Sequence, residues 1–314
     1  MIKSKICELL DIKYPIFQGS MAWIADGKLA GAVSKAGGLG IIASGMAPVE
    51  WVREQINIVR SITNNKFAVN VMLMSPTAED VAKLICEEKV PVVTTGAGSP
   101  AKYIPMWKEA GIIVIPVVPS SSIAKRMERA GADAIIAEGM EGGGHVGELT
   151  TMALIPQVVD SVSIPVVAAG GIADGRGAAA AFMLGAEGIQ VGTRFLSAFE
   201  CDIHENYKKM VLEAKDTDTI ITGRSTGHPV RALKNKFTKQ MQVLDIENKP
   251  EEIEAKGSGA LRLAVQNGDL DGGSFMAGQI AGMIDTTQSS QEIIEEIMTS
   301  CEEIIKNAGR NRIG

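Results

Sequence analysis

Proton-transfer chemistry is indicated most strongly by residues 138–147, which read EGMEGGGHVG. The segment holds two carboxylates, three consecutive glycines and one of the three histidines in the chain. Glycine lets a backbone approach a ligand closely, and imidazole exchanges a proton near neutral pH. The pattern therefore predicts a site with His145 as its catalytic residue. The alternative is a structural histidine that bonds a loop carbonyl.

Bare backbone amides recur in two later segments, 169–172 (AGGI) and 190–193 (QVGT). Free N–H groups next to a helix start are a common way to bind phosphate. Gly170, Gly171, Gly192 and the Thr193 hydroxyl are the candidates here, with tight turns as the alternative. The phosphate belongs either to a substrate or to a cofactor such as FMN, and glycines alone do not decide between them.

Three further observations restrict the kinds of ligand and reaction that the sequence predicts. Asn70 carries amide groups that could bond the polar edge of a flat ring. His145 has no neighbouring His or Cys at ligand spacing, so no metal site is predicted. Glu138 and Glu141 lie three residues apart on one segment, an arrangement that glycosidases rarely use for their two acids.

Eight short apolar runs could position these residues, and their starts lie 22 to 30 residues apart. Stretches with helical periodicity separate them. Consecutive apolar residues indicate strands that are covered on both faces, as in a parallel sheet. An α/β fold of the (β/α)8 TIM barrel type is predicted, with a doubly wound sheet as the alternative. The runs are Ile16–Gly19, Leu39–Ala43, Phe67–Leu73, Val90–Thr95, Ile112–Val118, Ala134–Ala137, Ile164–Ala169 and Gly188–Gly192.

Polar residues gather where the predicted strands end. Barrel active sites lie at that face, and the loops after strands seven and eight commonly hold phosphate. So many coincident positions indicate one shared site. The residues are Gln18, Asn70, Thr95, Glu138, His145, Gln190 and Thr193.

The regular alternation of predicted strands and helices ends at Phe199. Residues 1–199 are predicted to form the barrel, 200–256 a mainly helical lid or substrate subdomain, and 257–314 helices that pack back on the barrel. From Thr219 to Leu244 there is no Asp or Glu. This stretch is either a solvated helix face or a docking surface for an acidic partner or a phosphate-bearing ligand. Its basic residues are Arg224, Arg231, Lys234, Lys236 and Lys239.

Composition excludes several classes of protein. A net charge of −6 and 4% aromatic residues argue against nucleic-acid binding. No apolar run approaches the roughly 18–20 residues of a membrane span. The amino-terminal residues lack the apolar stretch of a signal peptide, so a cytoplasmic location is expected.

Several motifs together resemble the nitronate monooxygenase superfamily and, within it, the FMN-dependent enoyl-acyl-carrier-protein reductase II branch. The resemblance runs almost from end to end, although Gly142 stands where that family more often has Ala. The motifs are 16–23 (IFQGSMAW), Asn70, 95–98 (TGAG), 141–145 (EGGGH), 169–173 (AGGIA), 190–194 (QVGTR) and 276–279 (MAGQ).

The resemblance implies a barrel that holds FMN, with NADH or NADPH as co-substrate and an enoyl thioester on acyl carrier protein as substrate. His145 would protonate the α-carbon, stabilise the enolate, or do both. Arg231, Lys234 and Lys236 would face the acidic carrier, and a homodimer is expected. The implied FMN-binding residues are Met21, Ala22, Asn70, Glu138, Gly143, Gly170, Gly171, Gln190, Gly192, Thr193, Met276 and Gly278.

Two other functions fit the same residues. A nitronate monooxygenase would use the same flavin seat, with oxygen as the oxidant. A non-catalytic sensor of a phosphate-bearing ligand would use the glycine loops alone, and the histidine in a bare loop argues against it.

Overall fold

Eight parallel strands form the centre of the molecule. A computed structural model describes residues 2–308. From the second strand to the eighth, each pairs in parallel with the next barrel strand along the chain, and the eighth pairs in parallel with the first. A bridge between Phe17 of the first strand and Leu39, two residues before the second, joins the two ends of this series. The predicted (β/α)8 barrel is therefore confirmed. Its strands are β1 (Ile16–Gln18), β2 (Ile41–Ala43), β3 (Ala68–Met72), β4 (Val92–Gly96), β5 (Ile113–Val118), β6 (Ile135–Glu138), β8 (Val166–Ala169) and β9 (Gly188–Val191).

Helices cover the outside of the barrel between successive strands. The side chains of Asp26 and Asp174 accept backbone N–H bonds at the starts of α2 and α8, as expected for helix N-caps. No helix within residues 2–308 is both long and apolar enough to cross a membrane. The helices between strands are α2 (Gly27–Lys35), α3 (Val49–Ile62), α4 (Ala78–Glu87), α5 (Ile104–Glu109), α6 (Ser121–Ala130), α7 (Thr151–Val159) and α8 (Gly175–Met183), whereas α1 (Lys5–Leu10) precedes β1.

The barrel interior is filled by apolar side chains from its own strands. Phe17, Ile41, Ile115 and Val167 belong to one fully buried cluster. Ile6 and Leu10 of α1 join the same cluster. The interior is therefore a packed core, which leaves a ligand only the loops at the strand ends.

An insertion separates the eighth barrel strand from the last outer helix. It starts after the 3-10 turn Thr193–Ser197, and Phe199 N–H donates to the Gln288 carbonyl at 2.9 Å across its base. α13 (Ser290–Asn307) then packs on α8 and α2, in the place of the eighth barrel helix. The insertion is mainly helical, as predicted, while the boundaries at residues 199 and 256 stay predictions. Its helices are α9 (Glu205–Leu212), α10 (Lys236–Ile246), α11 (Pro250–Gly257) and α12 (Ala260–Arg262).

A small antiparallel sheet ties this insertion to the loop that carries His145. β10 (Thr219–Thr222) pairs with β11 (Val230–Leu233), and β11 pairs with β7 (Gly144–His145). The register places Val230 opposite His145. The conformation of the histidine loop therefore depends on a strand that lies almost 90 residues later in the chain.

Candidate functional site

The loop after β6 is fixed to the neighbouring barrel strand and to α7. Gly139 N–H donates to the Ala169 carbonyl at 2.9 Å, and Met140 N–H donates to the Leu149 carbonyl at 2.8 Å. The Glu141 carboxylate accepts from the Thr151 N–H and hydroxyl, both at 2.9 Å. Glu141 is thus engaged in holding the loop, so Glu138 and Glu141 do not act as a pair of free acids.

His145 reaches the site on β7. Val146 N–H donates to the Pro229 carbonyl at 3.1 Å, which extends the pairing with β11. The imidazole is exposed on one side. The protein around its other side lowers its pKa by desolvation, and the nearby His228 lowers it further. The neutral ring is therefore favoured at neutral pH, with one N–H donor and one acceptor nitrogen.

Glu138, the last residue of β6, holds a carboxyl without a partner. No hydrogen bond or ion pair to its side chain is present within residues 2–308. Desolvation raises the pKa of Glu138 to about 7. A perturbed carboxyl at a strand end is typical of a ligand or active site.

Other polar side chains at the strand ends also lack partners. Thr95 Oγ1 is buried and makes no hydrogen bond within the described residues. Gln190, which is 7% exposed, makes no side-chain hydrogen bond within residues 2–308. Asn70 Nδ2 donates to Thr94 Oγ1 at 3.0 Å, which leaves its amide oxygen available. Buried polar groups are normally paired, so this set fits a polar ring bound at the barrel mouth.

A glycine cradle follows β8 and β9. Gly170 and Gly171 have φ of +91° and +72°, a backbone region that strongly favours glycine. A Cβ on Gly170 would lie 2.7 Å from the Gly139 carbonyl oxygen. Gly192 precedes the 3-10 turn, and Thr193 Oγ1 accepts the Gly278 N–H at 2.8 Å. The Thr193 hydroxyl proton remains available, so the cradle fits a phosphate group.

Residues 276–279 return from the insertion and lie against the histidine loop. Gln279 N–H donates to the Glu141 carbonyl at 2.9 Å. A Cβ on Gly143 would lie 2.6 Å from the backbone carbon of Ala277. Tyr207 Oη donates to the Met276 carbonyl at 2.7 Å. Met276, Gly278 and Gly143 are therefore brought together with His145.

The loop after β1 completes the ring of candidate residues. A Cβ placed on Gly192 would lie 3.9 Å from Met21 Sδ, and one on Gly45 would lie 3.2 Å from the Ala22 side chain. Met21 thus lies beside the glycine cradle and Ala22 beside the end of β2. Gln18, by contrast, uses its side chain between strands, where its Oε1 accepts the Ile41 N–H at 3.1 Å.

The prediction that Arg231 faces an acidic carrier is wrong, because the structure buries this residue. It is 5% exposed, and its Nε and Nη2 donate to the Met140 carbonyl at 3.2 and 3.1 Å. A buried guanidinium cannot face an acidic carrier, so Arg231 supports the histidine loop instead. Lys234 and Lys236 are exposed, and Lys236 pairs with Asp271 at 3.2 Å.

The sequence did not predict that two residues support the backbone of the site, namely Arg231 at Met140 and Tyr207 at Met276. A signal existed for the first, because Arg231 stands inside the apolar segment Val230–Leu233, where a charge needs a buried partner. No comparable signal existed for Tyr207, whose fully buried ring lies on α9. Its contact with Met276 joins residues 69 positions apart.

Known proteins resemble this chain over nearly its whole length. A family model described as nitronate monooxygenase matches residues 3–85 and 79–300. The solved structure of FabK from Thermotoga maritima is 50% identical over 98% of this chain and 99% of that chain, with a TM-score of 0.96. Two curated relatives are also similar.

The first is named (3aS,4S,5R,7aS)-5-hydroxy-7a-methyl-1-oxo-octahydro-1H-indene-4-carboxyl-CoA dehydrogenase and comes from Mycobacterium tuberculosis. It is 32% identical, over 95% of each chain. The second is named "Probable nitronate monooxygenase" and comes from Staphylococcus aureus. It is 32% identical, over 97% of this chain and 99% of its own.

Proposed function

This chain belongs to the nitronate monooxygenase family, and from that premise we propose that it is an FMN-dependent enoyl-acyl-carrier-protein reductase that uses NADH or NADPH. Membership of the family indicates a flavin oxidoreductase. The similarity to FabK supports the finer assignment. The observation that carries the proposal is the set of unpaired polar groups, Glu138, Thr95 and Gln190, around a glycine cradle beside His145.

The residues present fit FMN. Gly170, Gly171, Gly192 and Thr193 would hold its phosphate through amides and a hydroxyl. Asn70, Glu138 and Gln190 would meet the polar edge of its ring, with Met21, Ala22, Gly143, Met276 and Gly278 around it. When bound, FMN would supply the hydride chemistry between the nicotinamide and the enoyl thioester.

His145 would handle the proton. Reduction of a 2-enoyl thioester adds hydride at the β-carbon and a proton at the α-carbon, and negative charge develops on the thioester oxygen. A neutral imidazole with one N–H group can direct a hydrogen bond at that oxygen. Such a donor is worth roughly 3–4 kcal/mol, and a positioned proton transfer gives about 10²–10⁴-fold. Arg231 and β11 would keep the ring in place.

The proposal that acyl carrier protein is the partner rests on the exposed basic side chains of the insertion. Lys234 and Lys236 are exposed, and they stand in a segment that has no acidic residue from 219 to 244. An acidic acyl carrier protein would be attracted to such a surface. The cytoplasmic location and the homodimer stay predictions.

Anaerobic stopped-flow tests the proposal. Purified protein loaded with FMN is mixed with NADH or NADPH, and flavin absorbance is followed. Reduced enzyme is then mixed with crotonyl thioester without oxygen. We expect flavin bleaching in the first step and reoxidation in the second. Bleaching without reoxidation by the thioester contradicts the enoyl reductase.

A nitronate monooxygenase is the second candidate, favoured by the family model and by the Staphylococcus aureus relative. In that case a nitronate with oxygen would discharge the flavin, and an enoyl thioester would not. A purified protein that binds no flavin would leave the phosphate-ligand sensor as the better description.

A further inference from the structure

The turn between β10 and β11 is a surface loop whose backbone is held by several side-chain hydrogen bonds. The Asp245 carboxylate accepts from Gly223 N–H at 2.6 Å, Ser225 N–H at 3.0 Å and the Ser225 hydroxyl at 2.8 Å. Thr226 Oγ1 accepts the His228 N–H at 3.1 Å. Exposed tips are usually mobile and variable. This one is held by a carboxylate and two hydroxyls.

Two basic side chains are displayed by the turn. Arg224 and His228 are exposed, and neither side chain has a hydrogen bond or ion pair within residues 2–308. The carboxylate that contacts the turn, that of Asp245, is already engaged with the backbone of the turn. Neither basic side chain is therefore paired with this carboxylate, and both are left accessible to a ligand.

The sheet places this charge beside His145. Val230 lies opposite His145, and the Pro229 carbonyl accepts the Val146 N–H at 3.1 Å. His228 directly precedes Pro229, so it lies next to the histidine loop, and its proximity lowers the pKa of His145. Arg224 lies in the same turn as His228, where its carbonyl accepts the Gly227 N–H at 3.2 Å.

We propose that Arg224 and His228 form an anion-binding lip at the mouth of the site, which takes a phosphate group of the reduced nicotinamide dinucleotide or of the phosphorylated arm that carries the thioester. The assignment of these two sources rests on the proposed function. Both ligands bring phosphodiester or pyrophosphate oxygens to the mouth of the site. Guanidinium and imidazole groups bind such oxygens through charge-assisted hydrogen bonds.

Proton NMR of the histidine side chains tests the lip without catalysis. The chain has three histidines, so the His228 signal can be assigned with the His228→Gln variant. We expect pyrophosphate at roughly millimolar concentration to shift this signal with saturation. Arg224→Gln should weaken the binding about tenfold, as expected for one charge-assisted bond. Chloride at equal ionic strength and the exposed-residue variant Arg126→Gln are the controls.

Failure of pyrophosphate to shift the His228 signal, or an equal shift with chloride, would overturn the lip. This result is independent of the enzyme's reaction. If FMN is reduced by neither nucleotide while the pyrophosphate shift is present, the proposed function fails and the lip stands.

Half-reactions then distinguish the two sources of phosphate. The double variant Arg224→Gln/His228→Gln is compared with the unaltered protein. A loss of about tenfold or more in the apparent affinity for NADH or NADPH identifies the nucleotide. The same loss for crotonyl-CoA, with crotonyl-N-acetylcysteamine unchanged, identifies the carrier arm. Affinities within twofold for all four ligands would overturn both assignments.

Discussion

His145 combines an open face with a supported backbone, and this combination suits a residue that must meet a substrate without moving. Its pKa is lowered by desolvation first and by His228 second. The ring is thereby kept neutral near pH 7, where one nitrogen donates and the other accepts. A structural histidine would need a bonded partner, yet no hydrogen bond to the His145 ring is present within residues 2–308.

Replacement of His145 by Gln should slow the oxidative half-reaction with crotonyl thioester by about 10²–10⁴-fold. FMN binding and flavin reduction by NAD(P)H should change little, because the glycine cradle is untouched. Stopped-flow absorbance measures both steps. His204→Asn is the matched control, since His204 only accepts the Asn206 N–H at a helix start and Asn preserves that cap. A reoxidation rate for His145→Gln within a few-fold of the unaltered protein would remove the catalytic assignment.

Glu138 predicts a pH dependence of stability in the flavin-free protein. Its folded-state pKa is raised to about 7, so folding favours the protonated acid. The contribution of the Glu138 carboxyl to the free energy of unfolding is fully present below about pH 4.3, which is the pKa of this group in the unfolded chain. It is lost as pH rises through about 7.

Glu138→Gln should therefore stabilise the apoprotein relative to the unaltered chain more at pH 8 than at pH 5, by at most on the order of 3 kcal/mol. Urea unfolding of both proteins at the two pH values measures this difference. Equal effects of the substitution at pH 5 and pH 8 would show that Glu138 is not desolvated.

At the scale of elements, the histidine loop is held from two directions. Glu141 binds the loop to α7 through Thr151, and the buried Arg231 binds it to β11 through the Met140 carbonyl. Neither contact is local, so loop geometry is set by the barrel and by the insertion together.

Arg231→Met should lower the free energy of unfolding by roughly 1–3 kcal/mol, because the Met140 carbonyl loses both donors of the Arg231 guanidinium. Hydrogen exchange at residues 144–146 should accelerate, since β7 would be less firmly held. Urea unfolding and exchange mass spectrometry measure these changes. Lys234→Met removes the same charge from an exposed position, where a change within about 0.5 kcal/mol is expected. Equal effects of the two variants would show that burial of Arg231 is unimportant.

Neighbouring glycines in the loop should respond differently to an added methyl group. At Gly143 a Cβ would lie 2.6 Å from the Ala277 backbone, whereas at Gly142 the nearest atom is Glu138 Oε1 at 3.2 Å. Gly143→Ala should cost roughly 1–3 kcal/mol of stability by overpacking and should weaken FMN binding. Gly142→Ala, the residue more usual in the resembling family, should change both much less. Thermal unfolding and flavin fluorescence titration compare the two, and equal losses would contradict the close approach of residues 276–279.

At the scale of the whole molecule, the insertion between β9 and α13 supplies what the barrel lacks. It contributes Met276 and Gly278 to the site, β11 to the histidine loop, and the basic residues Lys234 and Lys236 to the surface. The barrel holds the cradle, and the insertion contacts it through the Gly278 N–H, which donates to Thr193 Oγ1.

Charge reversal at Lys234 and Lys236 should raise KM for enoyl-acyl-carrier protein and leave crotonyl-CoA much less affected, because only the carrier protein would contact this surface. Steady-state kinetics with the two substrates measures the difference, at low and at high salt. Reversal at Lys125, exposed on α6, is the control. An equal rise in KM for both substrates would contradict docking at this surface.

The sequence by itself determined the eight strands and which residues lie at their ends. Consecutive apolar residues at regular spacing indicate strands that are covered on both faces, as in a parallel sheet, and each of the eight predicted runs overlaps an observed barrel strand. Because parallel strands end at one edge, Asn70, Thr95, Glu138 and Gln190 had to meet there. The histidine loop and the glycine cradle followed from the same periodicity.

Only the tertiary structure decided what the remaining residues do. The pairing of β7 with β11, the burial of Arg231 and the return of residues 276–279 to Gly143 join parts of the chain that are far apart in sequence. No local pattern encodes such contacts, because propensity and periodicity act over a few turns of chain. Arg231 shows the consequence: its charge is plain in the sequence, but whether that charge meets solvent or the Met140 carbonyl depends on what packs over it.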